Sequence, residues 1–135
     1  MRFIVEFLAA SLFASVAIFS PAELDAHRQW MSDAQDRKDD IREELAAKDR
    51  VKLVTAAKAL DALTVREQAF WARTSLQQAK DLAVKNRKES QDLLRAANAA
   101  RFEDAAKAFG QLEKTCTACH DLHFEQHPSM VPARK

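Results

Sequence analysis

Residues 49–63 read DRVKLVTAAKALDAL, and this stretch indicates the class of fold. It opens with Asp49, whose side chain can accept a hydrogen bond from a backbone N–H group in the first turn of a helix. Apolar side chains follow at three- and four-residue steps, which places them on one helical face. The members of this stripe are Leu53, Ala56, Ala57, Leu60 and Leu63. The stretch therefore predicts an amphipathic helix that buries one side.

The rest of the chain lacks the turn residues that other folds need. Its 135 residues include one Gly, three Pro and no Tyr, and residues 22–109 contain neither Gly nor Pro. Tight β-hairpins depend on such residues, which argues against a sandwich or a barrel. Residues 22–109 also hold no glycine-rich phosphate loop, so a nucleotide-binding βαβ fold is excluded. The composition therefore predicts an all-α protein.

Apolar periodicity predicts three further helices, at residues 23–48, 76–97 and 100–125. Asn98 is expected to cap the last helix, and Pro128 lies beyond its end. Between the second and third helices, Thr64 and Glu67 match a capping box, so the helix is expected to restart there.

Residues 64–75 are accordingly predicted to form a short helical turn plus irregular chain. One uninterrupted helix over residues 65–97 is the alternative. Four amphipathic helices with short connections bury their stripes as an antiparallel up-down-up-down four-helix bundle.

The amino terminus is similar to a secretory signal peptide. Arg2 precedes an uncharged apolar run over residues 7–19, and Ser20 and Ala22 are small residues of the kind found at cleavage sites. The run is shorter than the roughly 20 residues that a membrane span needs, so a spanning anchor is the weaker alternative. We expect a signal peptide at residues 1–22, a periplasmic domain at 23–128 and a tail at 129–135.

The two cysteines fall in Cys116-Thr-Ala-Cys119-His120, and this C-x-x-C-H pattern is typical of c-type heme attachment. Two thiols one helical turn apart can each form a thioether with a heme vinyl group, and the adjacent imidazole can bind the iron. The thiols continue the apolar stripe of Phe109 and Leu112, so they are expected to face the bundle interior. We predict one covalent heme on the last helix.

Three other uses of these residues stay open. A zinc site could be built from Cys116, Cys119, His123 and His127, although its spacing differs from that of zinc fingers. A thioredoxin-like dithiol would need the thiols at a helix amino terminus, whereas here they lie deep in a helix. A disulfide between thiols three residues apart on a helix is poorly oriented.

Residues 102–120, FEDAAKAFGQLEKTCTACH, resemble the heme helix of the cytochrome c prime family, the class II c-type cytochromes. The likeness is closest over residues 98–125 and is looser over 23–128. It implies that Cys116 and Cys119 are the thioether positions and that His120 is the proximal iron ligand. Asp121 and the residues after it depart from the family, whose members often carry a basic residue shortly after this histidine.

The resemblance also implies that a residue of the first helix faces the distal side of the heme. Met31 lies on the apolar stripe of that helix and can supply a thioether as the sixth iron ligand, or it can simply pack against the porphyrin. His27 lies one turn earlier and could compete, although an exposed or capping role is the plainer expectation for it.

Two functions follow from these alternatives. With Met31 bound to iron, the protein is expected to be a periplasmic one-electron carrier that meets redox partner proteins. With Met31 only packed, five-coordinate iron would bind NO or CO, as in a scavenger or sensor. The chain carries 21 Lys plus Arg against 20 Asp plus Glu, which argues against nucleic acid as a partner. No enzymatic activity and no stable membrane insertion of the mature chain are expected, and a homodimer is compatible with the sequence.

Overall fold

The computed structural model describes residues 19–126, with side chains described through residue 122. This part of the chain forms four α-helices and no strand: α1 (Pro21–Ala47), α2 (Arg50–Ala72), α3 (Gln77–Asn98) and α4 (Phe102–Gln126). The all-α prediction is therefore confirmed. Residues 1–18 and 127–135, with most of the predicted signal peptide and the whole predicted tail, lie outside the described residues.

The ends of α1 and α2 follow local side-chain chemistry. Ser20 accepts a hydrogen bond from the backbone N–H of Glu23 at 3.1 Å, and Pro21 occupies the first helical turn, where its missing N–H group costs nothing. Lys48 ends α1 in the left-handed conformation, at φ 53°. Asp49 then accepts a hydrogen bond from the backbone N–H of Lys52, so its predicted role as the cap of α2 is confirmed.

The prediction for residues 64–75 is wrong, because α2 continues through this segment to Ala72. The Thr64 hydroxyl donates to the carbonyl of Asp61 at 2.7 Å instead of capping a new helix. Threonine makes such bonds readily inside a helix, so a local capping pattern is not sufficient to start one. The alternative of one helix over 65–97 is also wrong, since the chain turns between Ala72 and Gln77.

The predicted start of the last helix needs correction as well. Asn98 is the final residue of α3, and α4 begins only at Phe102. Ala100 adopts a left-handed conformation with φ 55°, and the backbone N–H of Arg101 donates to the carbonyl of Ala96. This turn supplies hydrogen-bond donors to the backbone carbonyls at the end of α3. The next helix therefore begins two residues later than predicted.

Sequential helices run antiparallel, as their polar contacts establish. At one end of the α2–α3 pair, Arg50 Nε donates to the carbonyl of Asn98, and near its middle Ser90 donates to Asp61. Arg42 of α1 bonds Glu113 of α4, which joins the first and last helices. The contact between α1 and α4 is nevertheless the weakest of the four helix pairs. The molecule is therefore a four-helix bundle that is loosely closed between α1 and α4.

Two groups of buried side chains form the core. The larger group lies toward the α1–α2 turn and has Ile41, Leu53, Leu93 and Leu112 at its centre. The smaller group is built around Phe19, Phe70 and Trp71 at the opposite end of α2. None of the helices described over residues 19–126 has an apolar stretch long enough to cross a membrane.

Candidate functional site

A cavity lies between the two core groups and is lined by all four helices. Its volume is about 80 Å³, and part of it opens to solvent. Apolar side chains form most of its wall, among them Leu60, Leu63 and Ala83. Cofactor pockets in proteins commonly enclose about 300–1,000 Å³, so the helices would have to separate to admit a cofactor of that size.

The α4 wall of the cavity carries Cys116, Cys119 and His120. The stripe that buries Phe109 and Leu112 in the core continues along α4 by helical steps to both thiols. Both cysteines are half-buried and neither forms a disulfide. The sequence-based expectation that the thiols face the bundle interior therefore agrees with their position.

Burial holds both thiols in the neutral form. It raises the pKa of Cys119 to about 12, with a further contribution from the charge of Glu67. Burial also raises the pKa of Cys116, against an opposing effect from nearby Lys38. A thioredoxin-like dithiol needs the opposite shift, because the thiolate is the attacking species. These thiols are thus poorly suited to disulfide exchange.

His120 is also kept neutral by its surroundings. Burial lowers its pKa, and the positive charge of Lys38 lowers it further. A neutral imidazole has a free nitrogen lone pair, which is the form that binds a metal ion. His120, the predicted proximal ligand, is therefore in the protonation state that can bind iron.

These shifts predict slow alkylation of Cys119 in the folded, heme-free chain. At pH 8 a thiol with a pKa of about 12 has roughly 1,000-fold less thiolate than an ordinary cysteine, so iodoacetamide should react about 1,000-fold more slowly. Peptide mass spectrometry over a time course measures the rate. The same chain in denaturant is the control, since unfolding should restore ordinary reactivity. Equal rates in both states would contradict the burial of this thiol.

The α1 wall places Met31 in the same cavity, together with Gln35 and Lys38. These residues recur at helical spacing, and Met31 is half-buried. The predicted sixth ligand therefore lines the same space as His120.

His27 departs from its expected exposed or capping role, because it is 3% exposed and lines the cavity. Its Nε2 donates to Glu67 Oε2 at 3.0 Å, and Trp71 Nε1 donates to the same oxygen at 3.1 Å. Within the described residues, His27 Nδ1 and Glu67 Oε1 are buried without a hydrogen-bond partner. The α1–α2 wall is thus polar at one point, where His27, Glu67 and Trp71 form a buried triad.

The sequence did not single out Glu67 as a site residue. The available signal was an acidic residue on the inward stripe of α2, one turn before a tryptophan that can donate a hydrogen bond.

Two polar contacts join α3 to α4 beside the cavity. The Cys116 thiol lies 3.8 Å from Asn86 Oδ1, and Thr115 donates to Glu89 Oε1 at 2.6 Å. Asn86 and Thr115 both line the cavity. Asn86 therefore faces the site, although in the sequence it interrupts the apolar stripe of its helix.

The zinc alternative gains no support from the described residues. Within residues 19–122, no group of three or more His, Cys, Asp or Glu side chains is arranged to hold a metal ion. The side chain of His123 and the whole of His127 lie outside the described residues.

Comparison of the chain with protein-family models, with curated proteins and with solved structures gave no match. The function is therefore inferred from the site residues and their geometry.

Proposed function

We propose that the cavity holds one covalently attached heme c. The support is the chemistry of the residues present: a mainly apolar cavity with two neutral thiols and a neutral imidazole on one wall. Cys116 and Cys119 would form the thioether bonds, and His120 would bind the iron as proximal ligand. The bound heme supplies a centre that exchanges one electron between ferric and ferrous iron.

The protein's own residues set the environment of that centre. Leu60, Leu63 and Ala83 exclude water from much of the space, because burial of apolar surface is favourable. Lys38 places a positive charge at the cavity wall, where it can balance the anionic groups of a heme. Low water content reduces the reorganisation of the surroundings that accompanies a change of iron charge.

We infer that the protein is a one-electron carrier of the class II c-type cytochrome kind. The observation that carries this inference is that Met31 of α1 and His120 of α4 line the same cavity. Met31 and His120 would then both bind the iron of the heme, and iron held by two protein ligands suits electron transfer. His27 is the weaker distal candidate because its Nε2 is already bonded to Glu67. A periplasmic location and redox partner proteins belong to the same proposal.

The optical spectrum of the purified heme protein tests the role of Met31. Ligation predicts a low-spin spectrum in both oxidation states, with the weak near-infrared band of thioether-to-ferric-iron charge transfer. Met31→Ala should convert the iron to high spin, lower the reduction potential and allow CO to bind readily, since a thioether favours ferrous iron. Met31→Leu is the matched control for packing, because it keeps the volume and removes only the sulfur.

The contrary result points to the second function. A wild-type spectrum that is already high spin, and that Met31→Ala leaves unchanged, would refute ligation. It would favour five-coordinate iron that binds NO or CO.

A further inference from the structure

Phe19 is an integral part of the aromatic core although it precedes the first helix. It is 7% exposed, and its ring stacks on Phe70 with 4.0 Å between the ring centroids and 5° between the ring planes. The Arg73 guanidinium lies 4.7 Å from the centre of the Phe19 ring. Burial of an aromatic ring in this way removes a large apolar surface from water.

Phe19 also lies behind the wall of the cavity. Phe70 stacks on His27, with 4.1 Å between their ring centroids, and His27 lines the cavity. Phe19, Phe70 and His27 therefore form consecutive layers from the surface to the site. Loss of Phe19 would uncover Phe70 and bring solvent one layer closer to His27.

Ser20 is required by the fold as well. It is the cap of α1, since it accepts the backbone N–H of Glu23. Arg73, just after α2, forms an ion pair with the Glu23 side chain. This ion pair links the first turn of α1 to the end of α2. The fold therefore uses residues 19 and 20 to start its first helix and to close its aromatic core.

Two places after residue 12 of the leader carry small residues at the positions that a signal peptidase recognises. Ser20 and Ala22 form one pair, and cleavage there would remove both Phe19 and Ser20. Ser15 and Ala17 form the other pair, and cleavage there would leave both residues on the mature chain. The apolar run before this second place, residues 7–16, still has a length typical of a signal peptide.

We propose that the leader is removed between Ala17 and Ile18, so that the mature protein begins at Ile18. Water adds across this peptide bond, which leaves a carboxylate on Ala17 and a free amino group on Ile18. The enzyme is a peptidase that requires small residues one and three positions before the bond. The proposal rests on the export part of the proposed function and is independent of heme.

The intact mass of the exported protein tests this processing site. The chain is expressed with its own leader in a Gram-negative host, and the mass of the periplasmic species is measured after acid-acetone treatment and with any retained heme accounted for. The wild-type chain should begin at Ile18. Ala17→Leu should block processing and leave the uncleaved chain in the membrane fraction, whereas Ala22→Leu should be processed as the wild type is. Ala22 is exposed in the first turn of α1, which makes it a suitable control.

A wild-type chain that begins at Glu23, or one that keeps Met1, overturns the proposal. Processing blocked by Ala22→Leu and unaffected by Ala17→Leu overturns it too. In a host that also supplies c-type maturation proteins, a correct mass without bound heme would leave this proposal standing and refute the heme function.

A second measurement does not depend on export. Chains that begin at Ile18 and at Glu23 are purified from the cytoplasm without heme, and their thermal midpoints are compared. The chain that begins at Glu23 should melt at least 5 °C lower, and Phe19→Ala in the longer chain should account for most of that loss. Equal midpoints would show that Phe19 and Ser20 do not belong to the fold, which removes the basis of the proposal.

Discussion

A chain in which serine replaces both Cys116 and Cys119 is expected to retain no covalently bound heme. Both thiols line the cavity beside His120, and the described part of the chain has no other cysteine from which a thioether could form. Serine is close to cysteine in size but does not add to a vinyl group under these conditions. Heme staining after denaturing electrophoresis should therefore fall from a strong band to background.

Variants that lose one cysteine, and a control variant that keeps both, test covalent attachment further. Cys116→Ser or Cys119→Ser alone leaves one thioether, so some heme should stay on the chain after acid-acetone extraction. Ala118→Ser lies between the cysteines on the exposed side of α4 and keeps the attachment pattern, so its staining should equal that of the wild type. Circular dichroism confirms that each variant is folded. If acid-acetone strips all heme from the wild-type chain, covalent attachment is refuted.

The helices were predictable where local chemistry and burial agree. Asp49 is both a good cap and the residue before a buried stripe, and Leu53 on that stripe is fully buried. The same agreement placed Cys116 and Cys119 on the wall of the cavity, since they continue the stripe of Leu112. A period of 3.6 residues is a property of one helix, so it can be detected in one segment of sequence.

One error involved a residue whose partner lies on another helix. Thr64 and Glu67 match a capping box, but Glu67 bonds His27, which is 40 residues away in the chain. That contact depends on how α1 and α2 align, and helical periodicity does not contain this information. The length of α2 was therefore underestimated, and the buried triad on its wall was not predicted.

Ser20 shows how one residue can satisfy two patterns. In the sequence it matches a small residue before a cleavage site, and in the structure it caps α1. Both patterns select small polar residues, for different physical reasons. Under the processing proposed above, Ser20 stays on the mature chain as the cap of α1, beside Phe19, which stacks on Phe70 of α2.

Glu67→Ala is expected to destabilise the heme-free protein by about 3–5 kcal/mol. Glu67 is 6% exposed, and one of its oxygens accepts hydrogen bonds from His27 and Trp71. Its removal takes this acceptor away from the buried His27 and opens a void, and the loss of one member of such a buried group has this cost. The thermal midpoint should fall by more than 10 °C in calorimetry or circular dichroism.

Three further variants show whether the cost comes from the hydrogen bonds of the triad. Glu67→Gln keeps an acceptor oxygen and the volume, so it should lose about 1–2 kcal/mol. Glu43→Ala is the matched control, since Glu43 is an exposed glutamate on α1 and its loss should stay within about 0.5 kcal/mol. His27→Leu combined with Glu67→Met should recover part of the stability lost in Glu67→Ala, because it fills the void and removes the buried His27 nitrogens that Glu67→Ala deprives of their acceptor. If Glu67→Ala is no less stable than Glu43→Ala, the triad does not hold α1 against α2, and the polar part of the cavity wall is not fixed by the fold.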